Sequence, residues 1–439
     1  MLRKLLMVTV FVILASVIFA APITLYFWQG VGAAFTKPLQ DLCNQFTALN
    51  PNVKVDVLYT GDYHETLTKT ISAVQGGNPP DIVQIYDVGT QVMMDSGVII
   101  PIQDMIDKDP SFDINTIIPA ARNYYSYKGK LYSMPFNSSN PVIYYNKNLF
   151  EKAGLNPNDP PTTFDQFIAD AQKLTVKDSS GNTIQYGFTF GTGQPIEWFF
   201  EQFLAIQDAL YLNNNNGRTG RADKAVFDSP AGLRVLNFFN TMVQNGSAIV
   251  AGAGWDNARS LFLSQRAAML IDSTANITML LQGAGNKFNV GVMFLPHPSG
   301  VPYGGVIIGG ASLWLINTHN TQREQAAWDL LKFLESTDAQ AQWSAATGYF
   351  PINRNSIIKL LYQGFYAQHP EFLVAVLQLL MSTPDAATSG ALSGAMPDIR
   401  TAVNNAFSNV FSKLMTPEQA LQQAQNQANK DLANYNSLY

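Results

Sequence analysis

Four consecutive amide and hydroxyl side chains, Asn137-Ser138-Ser139-Asn140, stand between Pro135-Phe136 and Pro141. The next four residues, Val142, Ile143, Tyr144 and Tyr145, are β-branched or aromatic and read as a buried strand. Both prolines favour a rigid, extended approach to it. Such a segment sets hydroxyl and backbone donors beside a core strand, which suits an anion or a polyol. Taken alone it is equally compatible with an ordinary polar turn.

Other chemistries find less support. His64, His297, His319 and His369 are scattered without the spacing of a zinc site. There is no nucleophile elbow, P-loop or H-E-x-x-H motif. The Asn213–Asn216 run before Gly217 reads as a surface loop and lacks carboxylates at metal-liganding spacing. No metal, cofactor or catalytic residue is therefore expected. A glycosidase-type carboxylate pair stays open, because such pairs assemble from distant positions.

The elements that must position these residues follow from pattern. Arg3 and Lys4, the apolar stretch 5–19 and Ala20 read as a cleaved export signal, residues 1–20. Pro22 follows too soon for a membrane span. No cysteine lies at the cleavage site for a lipid anchor. Cys43 shares a helical apolar face with Phe35, Leu39, Leu42 and Phe46. A free-diffusing exported chain without disulfides fits a bacterial periplasm. After cleavage, 25 basic residues face 32 acidic ones, a net charge of −7, which argues against nucleic acid as a partner. About 419 mature residues exceed one core and imply two domains.

From residue 23 the pattern alternates: strand 23–28, helix 35–49, strand 53–58, helix 63–74, strand 82–86. This predicts an α/β fold with a parallel sheet. Ligands on such sheets sit beyond the carboxyl ends of the strands, where Tyr63 and the Tyr86-Asp87 pair fall. Further helices are expected over 164–174 and 230–243, the latter capped by Ser229. Thr321 and Thr416 are expected to open capping boxes. Residues 372–381 read as a buried helix, and 384–394 as a flexible or closely packed loop.

Five segments in register resemble one family: 82–94 (IVQIYDVGTQVMM), 135–146, 307–315 (IIGGASLWL), 347–353 (TGYFPIN) and 396–400 (MPDIR). The chain resembles periplasmic glycerol-3-phosphate-binding proteins, a branch of the extracellular solute-binding proteins of ABC importers, over essentially its whole mature length. The resemblance implies a two-lobed type II periplasmic binding fold whose lobes, joined by hinge strands, close over a ligand. Lobe one would hold 21–133 and 275–334, lobe two 134–274 and 335–439. It further implies a phosphorylated polyol as ligand, permease subunits as membrane partners, and a monomer.

Family ligand contacts carry over to Tyr63, Asp87, Ser139, Ser273, Gly310, Tyr349 and Arg400. Tyr63, Asp87 and Gly310 would come from one lobe, Ser139, Tyr349 and Arg400 from the other. A phosphate dianion wants a guanidinium, hydroxyl donors and an unobstructed backbone N–H, and this set supplies them. Asp87, one methylene shorter than the family glutamate, would face the glycerol hydroxyls, away from the phosphate. Each residue also has a plain structural role open to it: buried tyrosine, strand bulge, helix cap, surface ion pair. The family's cleft tryptophans are missing, with only a displaced Trp198 in the region. That keeps bulkier glycerophosphodiesters, such as glycerophosphocholine, and neutral sugars in play, with a secreted hydrolase as the enzymatic alternative.

Overall fold

The computed structural model describes residues 22–439, so the export signal expected at 1–20 lies outside the described residues. The chain opens with β1 (Ile23–Gln29), α1 (Thr36–Leu49), β2 (Val53–Tyr59), α2 (Tyr63–Gln75) and β3 (Ile82–Tyr86). This is the alternating block the pattern predicts. Next come β4 (Ile99–Ile100), β5 (Met134–Ser139), β6 (Pro141–Asn146), β7 (Thr183–Thr192), α3 (Gln194–Ala205) and α4 (Pro230–Gln244). They are followed by β8 (Ala248–Ala253), α5 (Asp256–Leu263), β9 (Ala267–Ser273), β10 (Val290–Met293) and β11 (Gly309–Ile316). The C-terminal part is helical, including α6 (Thr321–Leu334), α7 (Thr337–Thr347), α8 (Met396–Phe411) and α9 (Pro417–Asn436).

Two sheets divide the molecule. The first runs β2-β1-β3-β11-β4, with β5 also paired to β11. The second runs β8-β7-β9-β6-β10. β1 pairs parallel with β2 and β3, and β7 pairs parallel with β8 and β9. However, β11 and β6 run antiparallel to their neighbours, so both sheets are mixed where the alternation predicted parallel. Antiparallel partners arriving from more than about 100 residues away leave no local pattern.

The run 134–146 crosses between the sheets. β5 lies in the first, β6 in the second, and Asn140 is the single residue between them. Its Nδ2 donates to the Ala375 carbonyl at 3.0 Å, and its Oδ1 accepts from Gln378 Nε2 at 2.9 Å. The crossing amide is thus satisfied in a dry environment, where an unpaired one would cost about 1–3 kcal/mol.

The lobe boundaries expected from the resemblance shift in three places. β5 belongs to the first sheet, because it pairs with β11. β10 belongs to the second, because it pairs with β6. Residues 337–353 pack on the first lobe: Trp343 meets Phe35 and Phe136, and Phe350 bridges to Ser138.

Local expectations fare variously. α1 buries Leu39, Leu42, Cys43 and Phe46, and the Thr416–Gln419 capping box forms. The cap of α6 is Asn320, one residue before Thr321, with its Oδ1 accepting from the Arg323 N–H. Asn213–Asn216 is not a plain surface loop: Asn216 is buried and its Oδ1 accepts from the Tyr211 and Leu212 N–H groups. The helix Pro370–Leu380 buries Phe372, Ala375, Val376 and Leu379 but leaves Leu377 and Leu380 exposed. Between 384 and 394 the chain is closely packed, with Ala387, Ala391 and Leu392 buried. No helix among the described residues is long and apolar enough to cross a membrane.

Candidate functional site in the inter-lobe cleft

A cavity of about 690 Å³ lies between the sheets, and all seven residues named from the sequence line it: Tyr63, Asp87, Ser139, Ser273, Gly310, Tyr349 and Arg400. Tyr63 opens α2, whose Asp62 cap accepts from the Glu65 N–H. Asp87 follows β3 directly. Ser139 ends β5 and Ser273 ends β9, so strand ends deliver them as the α/β topology requires.

Gly310 sits at φ +97°, and a Cβ there would lie 2.0 Å from the Asn137 carbonyl oxygen. Only glycine allows this approach of β11 to β5. The neighbouring register shift makes the site a strand irregularity as well.

A buried amide relay holds the tyrosines. Gln84 Oε1 accepts from the Gly30 and Val31 N–H groups, each at 3.1 Å. Its Nε2 donates to Asn137 Oδ1 at 2.7 Å, and Asn137 Nδ2 donates to the Tyr63 hydroxyl at 3.0 Å. The Tyr63 and Tyr349 hydroxyls meet here, and burial together with that neighbour raises Tyr63 well above the usual phenol range. Tyr63 stacks on Tyr86 at 5.5 Å, and Tyr349 stacks on Trp343 at 5.9 Å. Both tyrosines are therefore neutral and rigidly held. Tyr349 and Ser139 stand on the first lobe, not opposite Tyr63 as expected, because 337–353 packs there and β5 pairs with β11.

Arg400, on α8, is 6% exposed. Its Nη2 donates to Glu201 Oε2 of α3 at 2.8 Å and to Asp87 Oδ2 of the first lobe at 3.4 Å. Its Nε is buried and has no partner among the described residues. Burial alone would favour losing the proton, but the carboxylates of Asp87, Glu201 and Glu197 outweigh it and hold the guanidinium charged. Burial pushes Asp87 up to about 6, with Arg400 opposing and Glu201 reinforcing. Asp87 and Arg400 thus share one ion pair across the cleft.

Sequence reasoning missed several lining residues. Trp255 precedes α5 and packs edge-on against Trp198, with ring centroids 6.2 Å apart. Arg259 is a second cation, bound to Asp272 by Nε at 2.6 Å. Glu197 and Gln194 occupy the first turn of α3, facing the cleft where the family tryptophans were sought. Trp255 and Arg259 stood in an unremarkable stretch, and no spacing tied them to the cleft. No cluster of three potential metal ligands occurs among the described residues.

The model of the bacterial extracellular solute-binding proteins matches residues 41–372. The sn-glycerol-3-phosphate-binding periplasmic protein of Yersinia pseudotuberculosis is 32% identical over 369 residues, covering 83% of this chain and 82% of that one. Its Escherichia coli counterpart is 33% identical over 372 residues, covering 84% and 83%. The chain belongs to the bacterial extracellular solute-binding proteins.

Solved structures agree on the fold of this binding protein. UgpB from Mycobacterium tuberculosis, in complex with glycerophosphocholine, superposes with a TM-score of 0.78 at 19% identity, covering 94% of this chain and 99% of that one. A Listeria monocytogenes ABC substrate-binding protein in complex with cycloalternan gives 0.77 at 21% identity, covering 94% and 99%. The two-lobed type II fold is thereby shown. In this family, solute binding is the capture step of an ABC importer.

Proposed function

We propose that this binding protein captures sn-glycerol 3-phosphate or a glycerophosphodiester in the inter-lobe cleft and delivers it, chemically intact, to membrane permease subunits. The reading places it in the periplasm as a monomer, exported by the segment 1–20. The observation that carries it is Arg400: a buried guanidinium whose Nε has no partner among the described residues, at a cavity that Ser139, Ser273, Tyr63 and Gly310 also line. A phosphate oxygen satisfies that donor with a charge-assisted bond, worth about 1.5–3 kcal/mol. Micromolar affinity needs about 8 kcal/mol in all, so a few such contacts suffice after ordering costs. The names of the Yersinia and Escherichia relatives support the ligand class.

A neutral sugar is the second reading, favoured by the tryptophans and carboxylates along the same wall. Titration calorimetry with glycerol 3-phosphate, glycerophosphodiesters and maltose separates the two. Stoichiometric binding of a phosphorylated ligand, recovered intact by mass spectrometry, is expected. Tight maltose binding without response to phosphates would sink the assignment, and turnover of the diester would make the protein an enzyme.

A further inference from the structure

The charge around the cleft does not match a free dianion. Asp87, Glu197 and Asp398 line it against Arg259 and Arg400. Glu201 stands directly behind Arg400, and Asp272 directly behind Arg259. Five carboxylates thus face two guanidiniums, and no lysine lines the cavity. Glycerol 3-phosphate brings two further negative charges into a site already net negative. Like charges at short range in a partly dry site are strongly unfavourable.

Glu197 sharpens the point. It is half-buried in the first turn of α3, yet its carboxylate makes no hydrogen bond or ion pair with the described residues. Burial raises its proton affinity, with Arg400 opposing, and a ligand cation beside it would favour the charged form further. The adjoining wall is aromatic: Trp198, Trp255 and Tyr86 line the same cavity. Aromatic faces beside a carboxylate are the chemistry that receives an ammonium group. One such contact already exists, with Arg259 lying 5.3 Å over the Trp255 ring.

We infer that Glu197 is a specificity-determining residue that selects glycerophosphodiesters whose second alcohol carries a positive charge, such as choline or ethanolamine. The phosphodiester bears one negative charge for Arg400, and the ammonium bears one positive charge for Glu197. The ligand is then neutral overall and enters without deepening the negative charge of the cleft. The inference rests on the glycerophosphodiester reading and narrows it.

The test compares glycerophosphocholine, glycerophosphoethanolamine, glycerophosphoglycerol and glycerol 3-phosphate by calorimetry on the mature full chain. Glycerophosphoglycerol keeps the diester but has no cation. The expected result is at least about tenfold tighter binding of both cationic diesters than of glycerophosphoglycerol, with glycerol 3-phosphate weaker still. In Glu197→Gln the cationic preference should collapse to within about threefold of unity, while the relative affinity for glycerol 3-phosphate rises. Trp255→Leu should weaken the choline diester more than glycerophosphoglycerol. Equal affinity for all diesters, or a preference that survives Glu197→Gln, overturns this inference and leaves the broader reading standing. Binding of none of the four overturns both.

Discussion

The guanidinium of Arg400, on the second lobe, lies 3.4 Å from the carboxylate of Asp87, on the first, and 2.8 Å from Glu201 on its own lobe. One cation is thus shared across the cleft. Glu201 anchors it and Asp87 ties it to the opposite lobe. Asp87→Asn cuts only the tie, so folding should be preserved while the ligand-free protein opens. Small-angle scattering should show a larger radius of gyration for the variant than for the wild type without ligand. Equal radii would mean the ion pair does not hold the lobes together.

Arg400→Ala removes the anchor and strands Glu201, which is 2% exposed. A buried charge left without its partner costs about 3–5 kcal/mol, so the apo protein should unfold at a lower urea concentration. The Glu201 pair thus gives Arg400 a part in the apo fold beside the binding role expected of it. Ligand binding should weaken about thirtyfold to several-thousandfold, from the unpaired phosphate. The double variant Arg400→Ala/Glu201→Gln separates the two effects. It should regain most of the stability and none of the affinity. Recovery of affinity would show that the ligand never touched the guanidinium.

Legibility in the sequence followed the range of the interactions. The block from β1 to β3 was readable because each element is local and its apolar period is unbroken. The capping box at Thr416 was readable for the same reason, since it closes over three residues. β11 was readable only as a glycine-bearing strand, because its antiparallel place beside β3 depends on residues far away in the chain. The seven cleft residues came from motif likeness, yet their partners did not. Nothing near Arg400 in the sequence announces Glu201, 199 residues away. Glu197 and Trp255 carried no motif, and only the folded cleft brings them to one wall.

Gly310 tests how tightly the hinge-side strands must approach. Gly310→Ala meets both a positive φ and a backbone oxygen at 2.0 Å, and backbone cannot swing aside as a side chain can. The strained dihedral and the overpacking together should cost about 2–5 kcal/mol. The displaced Asn137 should also loosen Tyr63, its hydrogen-bond partner. Gly181 provides the control, with φ +84° and open space around its would-be Cβ. Gly181→Ala should cost only the dihedral strain, about 1 kcal/mol, as read by urea unfolding. Equal costs at the two positions would refute the close approach.

Glu335 offers a pH signature independent of the ligand. It caps the C-terminal end of α6, where the helix dipole already disfavours negative charge. The residue is 2% exposed, and neither carboxylate oxygen has a partner among the described residues. Burial therefore raises its carboxyl well above the usual range. The folded protein then holds a proton that the unfolded chain releases as pH rises past the ordinary glutamate value. Fewer protons bound by the unfolded state means that stability falls with rising pH. The stabilising contribution is complete below that ordinary value and is lost progressively up to the raised one. Glu335→Met keeps the volume and removes the titration. Relative to wild type it should gain about 1.4 kcal/mol per pH unit through that window. Urea unfolding of both proteins at pH 5, 6 and 7 reads the difference directly. A stability difference that does not change with pH would mean that Glu335 is ionised in the folded protein and has a partner.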